Sequence, residues 1–252
     1  MSGIFNRIEF IALLYEGLIA LIFVVFLLLF WRRYKQIKNK LTLYLFLVFV
    51  NFFFALIFSW LSKYLVLFSG LNYLSILNAK DPNTLESWIF LRILDFRISF
   101  IFVSFACIFT YIFKYKLFET NVKKFQKYIV FCYGGFTAIY SMFIYEKDNN
   151  LLDTITFLFV AILIIAIYLP FMIKTIIIYK IDQQEFIKKK LLSLTFMAFF
   201  FILIFVCFFI DRLLILFGFL GYTIFYFLAW LCGIFALMFA YIGYLKPKRE
   251  GK

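Results

Sequence analysis

The chain has 252 residues, of which 66% are hydrophobic and 25% aromatic, and it carries 26 Lys and Arg against 13 Asp and Glu. Soluble domains are about 45–50% apolar, so this composition excludes an ordinary water-soluble protein. The net charge of +13 lies in short clusters between apolar runs, which is typical of loops at a membrane face and argues against a nucleic-acid partner.

Seven apolar runs are long enough to cross a bilayer as helices, which takes about 20 residues each. They cover approximately residues 8–31, 41–61, 88–113, 128–145, 152–173, 191–216 and 220–245. Membrane β-strands would alternate apolar and polar residues, and these runs do not. The sequence therefore predicts an all-α bundle of seven transmembrane helices, forming a single integral membrane domain over residues 1–252.

Basic residues predict the orientation of this bundle. Nineteen of the 26 follow the first, third and fifth runs or lie in the C-terminal tail, whereas the other side has Arg7, Lys63, Lys80 and Lys147. Because cytoplasmic loops carry the excess of Lys and Arg, we expect the N-terminus outside and the C-terminus in the cytoplasm. Lys63 then belongs to an outer loop over residues 62–87, which contains the Asp81–Pro82 turn signal.

Several polar residues lie inside the runs, where each ionisable group costs about 2.5–3.5 kcal/mol at a helix centre and is a candidate functional residue. The candidates for an outer-half polar cluster are Glu16, Asn51, Arg92, Asp95, Arg97, Asp211 and Arg212. The six ionisable members sum to zero charge, so they could form a salt-bridge network that fixes the helices. They could also line a solvated outer cavity that binds a ligand or an ion. Asn51 favours an interhelical hydrogen bond.

If the third run is one continuous helix, Arg92, Asp95 and Ser99 share a face. In the seventh run, small residues recur at spacings of four and three. This stripe consists of Ala229, Gly233, Ala236, Ala240 and Gly243. Small residues let another backbone approach closely, so the stripe predicts tight packing within the bundle or, alternatively, a homodimer seam.

Chemistry that depends on histidine is excluded, because the chain has none. The four cysteines, Cys107, Cys132, Cys207 and Cys232, stand singly in apolar runs and read as small apolar residues. We therefore expect no metal, no cofactor and no catalytic residue, and the chain is interpreted as a protein that is not an enzyme.

Two segments carry a resemblance to a known class. The run from Arg97-Ile98-Ser99-Phe100 to Tyr111, and the ending from Trp230 through Tyr241-Ile242-Gly243-Tyr244-Leu245-Lys246-Pro247, resemble the seven-helix sensor regions of archaeal membrane proteins. The resemblance implies a module that senses a signal and passes it on.

Three functions follow as hypotheses. The first is a receptor-like sensor with an outward-facing charged site, which signals through a separate protein partner at the basic cytoplasmic face. The second is a small transporter or channel, and the third is a structural subunit of a larger membrane complex, such as a respiratory one. A cavity with a closed inner half would favour the sensor. A polar path that continues to the inner face would favour the transporter or channel, and a bundle without a cavity would favour the structural subunit. We expect the cell membrane as the location, with the mitochondrial inner membrane as the alternative.

Overall fold

The computed structural model describes residues 2–68, 85–118, 124–144 and 149–245. Within these ranges the chain forms helices and no strand. The helices are α1 (Ser2–Ile37), α2 (Lys40–Phe68), α3 (Leu85–Leu94), α4 (Arg97–Phe118), α5 (Lys124–Phe143), α6 (Asn150–Ile181), α7 (Glu185–Leu216) and α8 (Ile224–Ala240), and a π-helical turn at Tyr241–Leu245 continues α8.

Six of the described helices are long and apolar enough to cross a membrane: α1 from Arg7, α2, α4, α6, α7, and α8 with its extension to Tyr244. A helix satisfies its backbone hydrogen bonds internally, which the bilayer core requires. The prediction of an all-helical, multi-pass membrane protein is confirmed at this level.

The pattern of exposure on α1 shows how one helix serves both lipid and core. Its buried residues are Ala12, Glu16, Ile19, Phe23, Phe26 and Phe30, and its exposed ones include Leu14, Leu18, Leu21, Val25 and Leu28. Both sets recur every three or four residues, so each occupies one face. Large aliphatic side chains on the exposed face are suited to lipid contact.

α5 corresponds to the predicted span at 128–145 but is less apolar than the other six, because it combines two lysines and a glutamine in its first turn with two glycines and several hydroxyl-bearing residues further on. It runs antiparallel to its neighbours. The Tyr133 hydroxyl donates to the Phe159 carbonyl of α6 at 3.2 Å, and the Met142 carbonyl accepts from Arg92 at 2.6 Å, near the start of α4. Its 20 residues rise about 30 Å.

α4 and α6 run in the same direction, side by side. Arg97 and Thr156 meet near the starts of these helices, and the Thr110 and Tyr168 hydroxyls are 2.9 Å apart further along. The ring centroids of Phe113 and Phe171 lie 6.2 Å apart near the far end. Because α4 and α6 are parallel, the chain must return along the bundle between them, and α5 is that return.

The predicted span at 88–113 is wrong as a single helix. It is divided into α3 and α4 at Asp95 and Phe96, and Phe96 has a left-handed backbone with φ of +61°. The continuous face predicted for Arg92, Asp95 and Ser99 is therefore interrupted. No proline or glycine marks the break in the sequence, which is why the apolar run concealed it.

Other boundaries also shift. α2 continues to Phe68, so Lys63, which was expected in the outer loop, is part of a helix and is buried. α8 begins at Ile224, after a turn that contains residues predicted as the start of the seventh span. The Asp81–Pro82 turn signal lies outside the described residues.

The two ends of the bundle differ in what they bury. We call the end containing Glu16, Lys63, Arg97 and Asp211 the charged half. The other end, the aromatic half, is packed by the rings of Phe30, Phe49, Phe113, Phe171 and Tyr244.

Candidate functional site

A fully buried ion pair joins α1 to α2 in the charged half. Lys63 Nζ lies 3.0 Å from Glu16 Oε2, and both side chains are 0% exposed. Glu16 Oε1 accepts two further hydrogen bonds, from Ser59 Oγ at 2.8 Å and from the Tyr226 hydroxyl of α8 at 2.5 Å. The carboxylate therefore connects three helices, and its charge is both paired and hydrogen-bonded, as a buried charge requires.

Lys63 has all its donors engaged and is surrounded by aromatic rings. Its Nζ also donates to Ser59, at 3.1 Å to the carbonyl and 3.1 Å to Oγ. Ring centroids lie 4.5 Å away at Phe96, 5.3 Å at Tyr226 and 5.7 Å at Tyr222. Aromatic faces stabilise a cation at this range, so these rings favour the ammonium form of Lys63.

The break between α3 and α4 puts Phe96 in that position. The Ser62 hydroxyl donates to the Leu94 carbonyl at 2.6 Å, which satisfies an acceptor that the interrupted helix leaves open. A left-handed residue that is not glycine costs of order 1–3 kcal/mol and persists only where its surroundings hold it. Here the Phe96 ring lies near two cations, Lys63 and Arg212, whose guanidinium carbon is 5.4 Å from it.

A second ion pair joins α4 to α6. Arg97 is buried and binds the Asp153 carboxylate, and its Nη1 donates to Thr156 Oγ1 at 2.6 Å. Asp153 lies in the first turn of α6, where the helix dipole also favours a carboxylate. The pair fixes the start of α4 against the start of α6.

Asp211 and Arg212 have separate environments although they are adjacent. Asp211 is buried at the end of α7 and accepts from the Thr223 backbone N–H at 2.9 Å and from its hydroxyl at 2.7 Å. Thr223 is the N-cap of α8, so Asp211 fixes the turn between the two helices. In that turn, desolvation raises the pKa of the Tyr222 hydroxyl, and the nearby Glu9 carboxylate raises it further.

Arg212 is half-buried and makes no ion pair within the described ranges. Its guanidinium carbon lies 5.0 Å from the Phe157 ring centroid and 5.4 Å from that of Phe96. It also lines a cavity in the middle of the bundle with a volume of about 100 Å³.

This central cavity receives side chains from α1, α2, α4, α6, α7 and α8. Its walls are mainly apolar, and no carboxylate among the described residues lines it. Polar groups concentrate toward the charged half: Ser59, Ser99, Arg212, Tyr226 and Trp230. Ser99 Oγ is buried and has no hydrogen-bond partner within the described part of the chain. Small-molecule sites usually have such a lining, apolar with a few polar groups, although at about 100 Å³ this cavity is smaller than most of them.

Two of the remaining predicted polar residues, Arg92 and Asn51, bond to groups outside the Glu16–Lys63 pair. Arg92 donates to the Met142 carbonyl at 2.6 Å and to the Trp88 carbonyl at 3.0 Å, and it stacks on the Trp88 ring. Asp95 is half-buried at the helix break. The Asn51 amide donates to the Leu47 carbonyl of its own helix at 2.8 Å, so it does not form the expected interhelical bond there.

The small-residue stripe of α8 lies largely inside the chain. Ala229, Ala236 and Ala240 are fully buried, and a Cβ at Gly243 would lie 3.2 Å from the Lys190 carbonyl of α7. Gly233 has more room, since its nearest neighbour would be Ile204 Cδ1 at 3.8 Å. The stripe thus serves the contact between α8 and α7.

Sequence reasoning identified Glu16, Arg97 and Asp211 but not their partners. Lys63 follows the last strongly apolar segment of its run, so it was assigned to a loop. The signal that could have placed it is Ser59, one helical turn earlier on the same face. Asp153 was overlooked because an acidic residue in a first helical turn is common for helix stability alone.

Comparisons with protein families, with curated proteins and with solved structures give no match for this chain.

Proposed function

We propose that the chain is a receptor-like membrane protein that binds a small lipophilic ligand in the central cavity. The observation that carries this proposal is the cavity itself, which is apolar, touches six helices and has Ser99 and Arg212 at its polar side. A ligand that contacts several helices can favour one arrangement of them over another, which is what a sensor requires.

The aromatic half supports a receptor over a transporter. Beyond the cavity, the Phe49 and Tyr168 rings lie 6.0 and 5.1 Å from the Phe201 ring, and all three side chains are buried. Phe113 and Tyr244 continue this packing toward the far end, 5.9 Å apart. These buried rings pack the described part of that half around a few hydroxyl groups such as those of Thr110 and Tyr168, which favours a receptor over a protein with an open transport route.

The topology that we propose has seven crossings, with the N-terminus outside and the C-terminus in the cytoplasm of a cell membrane. The seventh crossing is supported by α5, which runs antiparallel to α4 and α6, while these two run parallel to each other. The support for the orientation is the concentration of basic residues at one side. A separate protein partner would then dock at the basic end, and the resemblance to archaeal sensor regions stays a prediction.

Single cysteines test this topology in a background with exposed Cys132 replaced by alanine. With seven crossings, cysteines at Asn39 and Gln184 label from the same side of the membrane, and one at Asn78 labels from the other. If α5 did not cross, Asn39 and Gln184 would label from opposite sides. Labelling of Asn39, and not Asn78, from outside intact cells would reverse the orientation.

Ligand chemistry is tested with three compounds that share one ring: benzoate, benzyl alcohol and benzylammonium. The cavity is of the order of size that admits one benzene-sized group. Because Arg212 lines it and no described carboxylate does, we expect benzoate to raise the melting temperature in detergent most and benzylammonium least. Ligands stabilise the state that they bind.

Two matched substitutions locate the binding. Ala55→Leu adds a side chain at the cavity wall, whereas Ala166→Leu adds the same side chain at an exposed position of α6. Benzoate should stabilise the second variant like the parent and the first much less. Equal responses would show that the compound binds elsewhere and would contradict the proposal.

The proposed response of the bundle to a bound ligand is tested separately from binding. Saturating benzoate should change the labelling rate of a cysteine at Asn39, which lies at the opposite end of the bundle from Ser99. An unchanged rate, with benzoate bound, would leave a binding protein without a receptor-like response.

We assign no dimer seam to α8, because its small residues are buried against α7 of the same chain.

A further inference from the structure

A second recess opens at the far end of the bundle, where α1 ends and α2 and α7 begin. We call it the basic cleft. It has a volume of about 450 Å³, and its cationic residues are Arg33 and Lys190. Apolar residues form most of the remaining wall: Ile37, Leu41, Leu117, Phe118, Ile178, Ile187, Leu191 and Leu194. At one side, the hydroxyls of Thr42 and Tyr244 are 3.1 Å apart.

The two cations of the basic cleft make no ion pair with the described part of the chain. Their positive charges oppose each other, and no carboxylate among the described residues lines the cleft. Arg33 Nε is buried and has no hydrogen-bond acceptor in the described part of the chain. Buried donors are nearly always satisfied in folded proteins, so this arrangement calls for an acceptor that the described residues do not supply.

The depth of these residues identifies where the acceptor comes from. Arg33 lies two residues after the apolar run at 8–31, and Lys190 directly precedes the one at 191–216. Both therefore lie where a span leaves the hydrocarbon core and meets the lipid headgroups. Basic pockets between transmembrane helices at this level are suited to anionic headgroups, and the apolar wall is suited to the start of an acyl chain.

We propose that the basic cleft binds the phosphate of an anionic phospholipid, with Arg33 and Lys190 as its ligands. Arg33 offers a planar fork of N–H donors to two phosphate oxygens, and Lys190 adds a point charge. The bound lipid relieves the repulsion between the two cations and ties α1 to α7. This site is independent of the central cavity, which lies toward the other end of the bundle.

The test compares two double variants of equal net charge in the detergent-purified full chain. Arg33→Gln with Lys190→Gln removes the cleft cations, and Arg32→Gln with Lys189→Gln removes their exposed sequence neighbours. Phosphatidylglycerol binding, measured by native mass spectrometry and by thermal shift, should be at least about tenfold weaker in the cleft variant than in the control. Equal binding in the two would overturn the proposal.

The headgroup and its source are resolved by two further ligands. Phosphatidylcholine with the same acyl chains should stabilise the parent much less than phosphatidylglycerol, and inorganic phosphate should not replace the lipid. Equal stabilisation by phosphatidylcholine would contradict the requirement for an anion. Equal stabilisation by inorganic phosphate would contradict a lipid source.

A single variant keeps the proposal testable if the double variant does not fold. Lys190→Gln removes one of two repelling charges, so without lipid its melting temperature should equal or exceed that of the parent. With phosphatidylglycerol it should gain less than the parent gains. A lower melting temperature without lipid and an undiminished gain with it would show that Lys190 has a purely structural role.

Discussion

The charged half and the aromatic half of the bundle are held together by different kinds of contact. In the charged half, Glu16 receives separate hydrogen bonds from Ser59, Lys63 and Tyr226, so each partner is individually required. In the aromatic half, Phe49 contacts the rings of Phe23, Phe26, Phe30 and Phe201 at centroid distances of 4.8–6.3 Å. None of those contacts depends on a particular atom.

The difference shows which part of the bundle specifies how the helices pair. Lipid is as apolar as the aromatic core, so burying rings gives helices little reason to choose one neighbour over another. A buried carboxylate that loses its cation is strongly destabilising, so an arrangement of helices that separates the two is disfavoured. The charged half therefore selects the arrangement of α1, α2 and α8, and the aromatic half fills the space that this arrangement leaves.

The largest effect should come from a substitution that keeps shape and removes charge in the charged half. Lys63→Met leaves the buried Glu16 carboxyl without its cation, and breaking a buried pair in this way typically costs about 3–5 kcal/mol. We expect a large fall in the melting temperature of the detergent-purified protein. Lys40→Met, on the same helix but exposed, is the matched control and should change little.

The double variant Lys63→Met with Glu16→Gln distinguishes a lost charge from lost packing. It contains no unpaired charge, and the amide oxygen that replaces the carboxylate can still accept from Ser59 and Tyr226, so it should recover most of the lost stability. If the double variant were as unstable as the single one, the pair would matter through its shape alone. The comparison between the two halves would then fail.

The next effect concerns the turn between α7 and α8. Asp211→Ala removes the acceptor for the backbone N–H and hydroxyl of Thr223. A buried donor left unpaired costs about 1–3 kcal/mol. Asp211→Asn keeps an oxygen in the same place and should lose much less. Thermal unfolding of both variants checks this, and equal losses would mean that the charge, rather than the hydrogen bonds, is what matters.

A conservative change in the aromatic half should be milder than either. Phe49→Leu exchanges one apolar side chain for another of similar size, and such exchanges usually cost less than about 1.5 kcal/mol. Its melting temperature should lie well above that of Lys63→Met. A loss as large as that of Lys63→Met would show that ring contacts also specify the arrangement.

These contrasts explain how much the sequence could predict. Apolar runs locate helices in a membrane protein, because a run long enough to span has few alternatives to a helix. All seven predicted runs contain a helix in the structure, although the third is divided and most ends shift by several residues. Glu16 was identifiable because a carboxylate between Ala12 and Ala20 is conspicuous.

Pairing across helices was not predictable in the same way. The partner of Glu16 is 47 residues away and the partner of Arg97 is 56 residues away, and no local periodicity links residues at such distances. The break at Phe96 lacks proline or glycine, so it depends on tertiary contacts such as the Ser62 hydrogen bond to Leu94. The unpartnered Ser99 and Arg33 became visible only once their surroundings were known.

The smallest effects should separate two glycines of the same stripe. At Gly243, at the end of the bundle nearer the aromatic half, a methyl group would meet the Lys190 carbonyl at 3.2 Å and Leu194 Cγ at 3.3 Å. Backbone cannot give way as a side chain can, so Gly243→Ala should lower stability by about 1 kcal/mol through overpacking.

At Gly233, beside the central cavity, the nearest atom would be Ile204 Cδ1 at 3.8 Å, an ordinary contact. Gly233→Ala should therefore raise stability, by up to about 1 kcal/mol, since alanine is the better helix former. Melting curves of the two variants give opposite signs if α8 packs most tightly against α7 away from the cavity. The same sign in both would mean that the space beside Gly233 closes in the folded protein, and would weaken the case for the cavity as well.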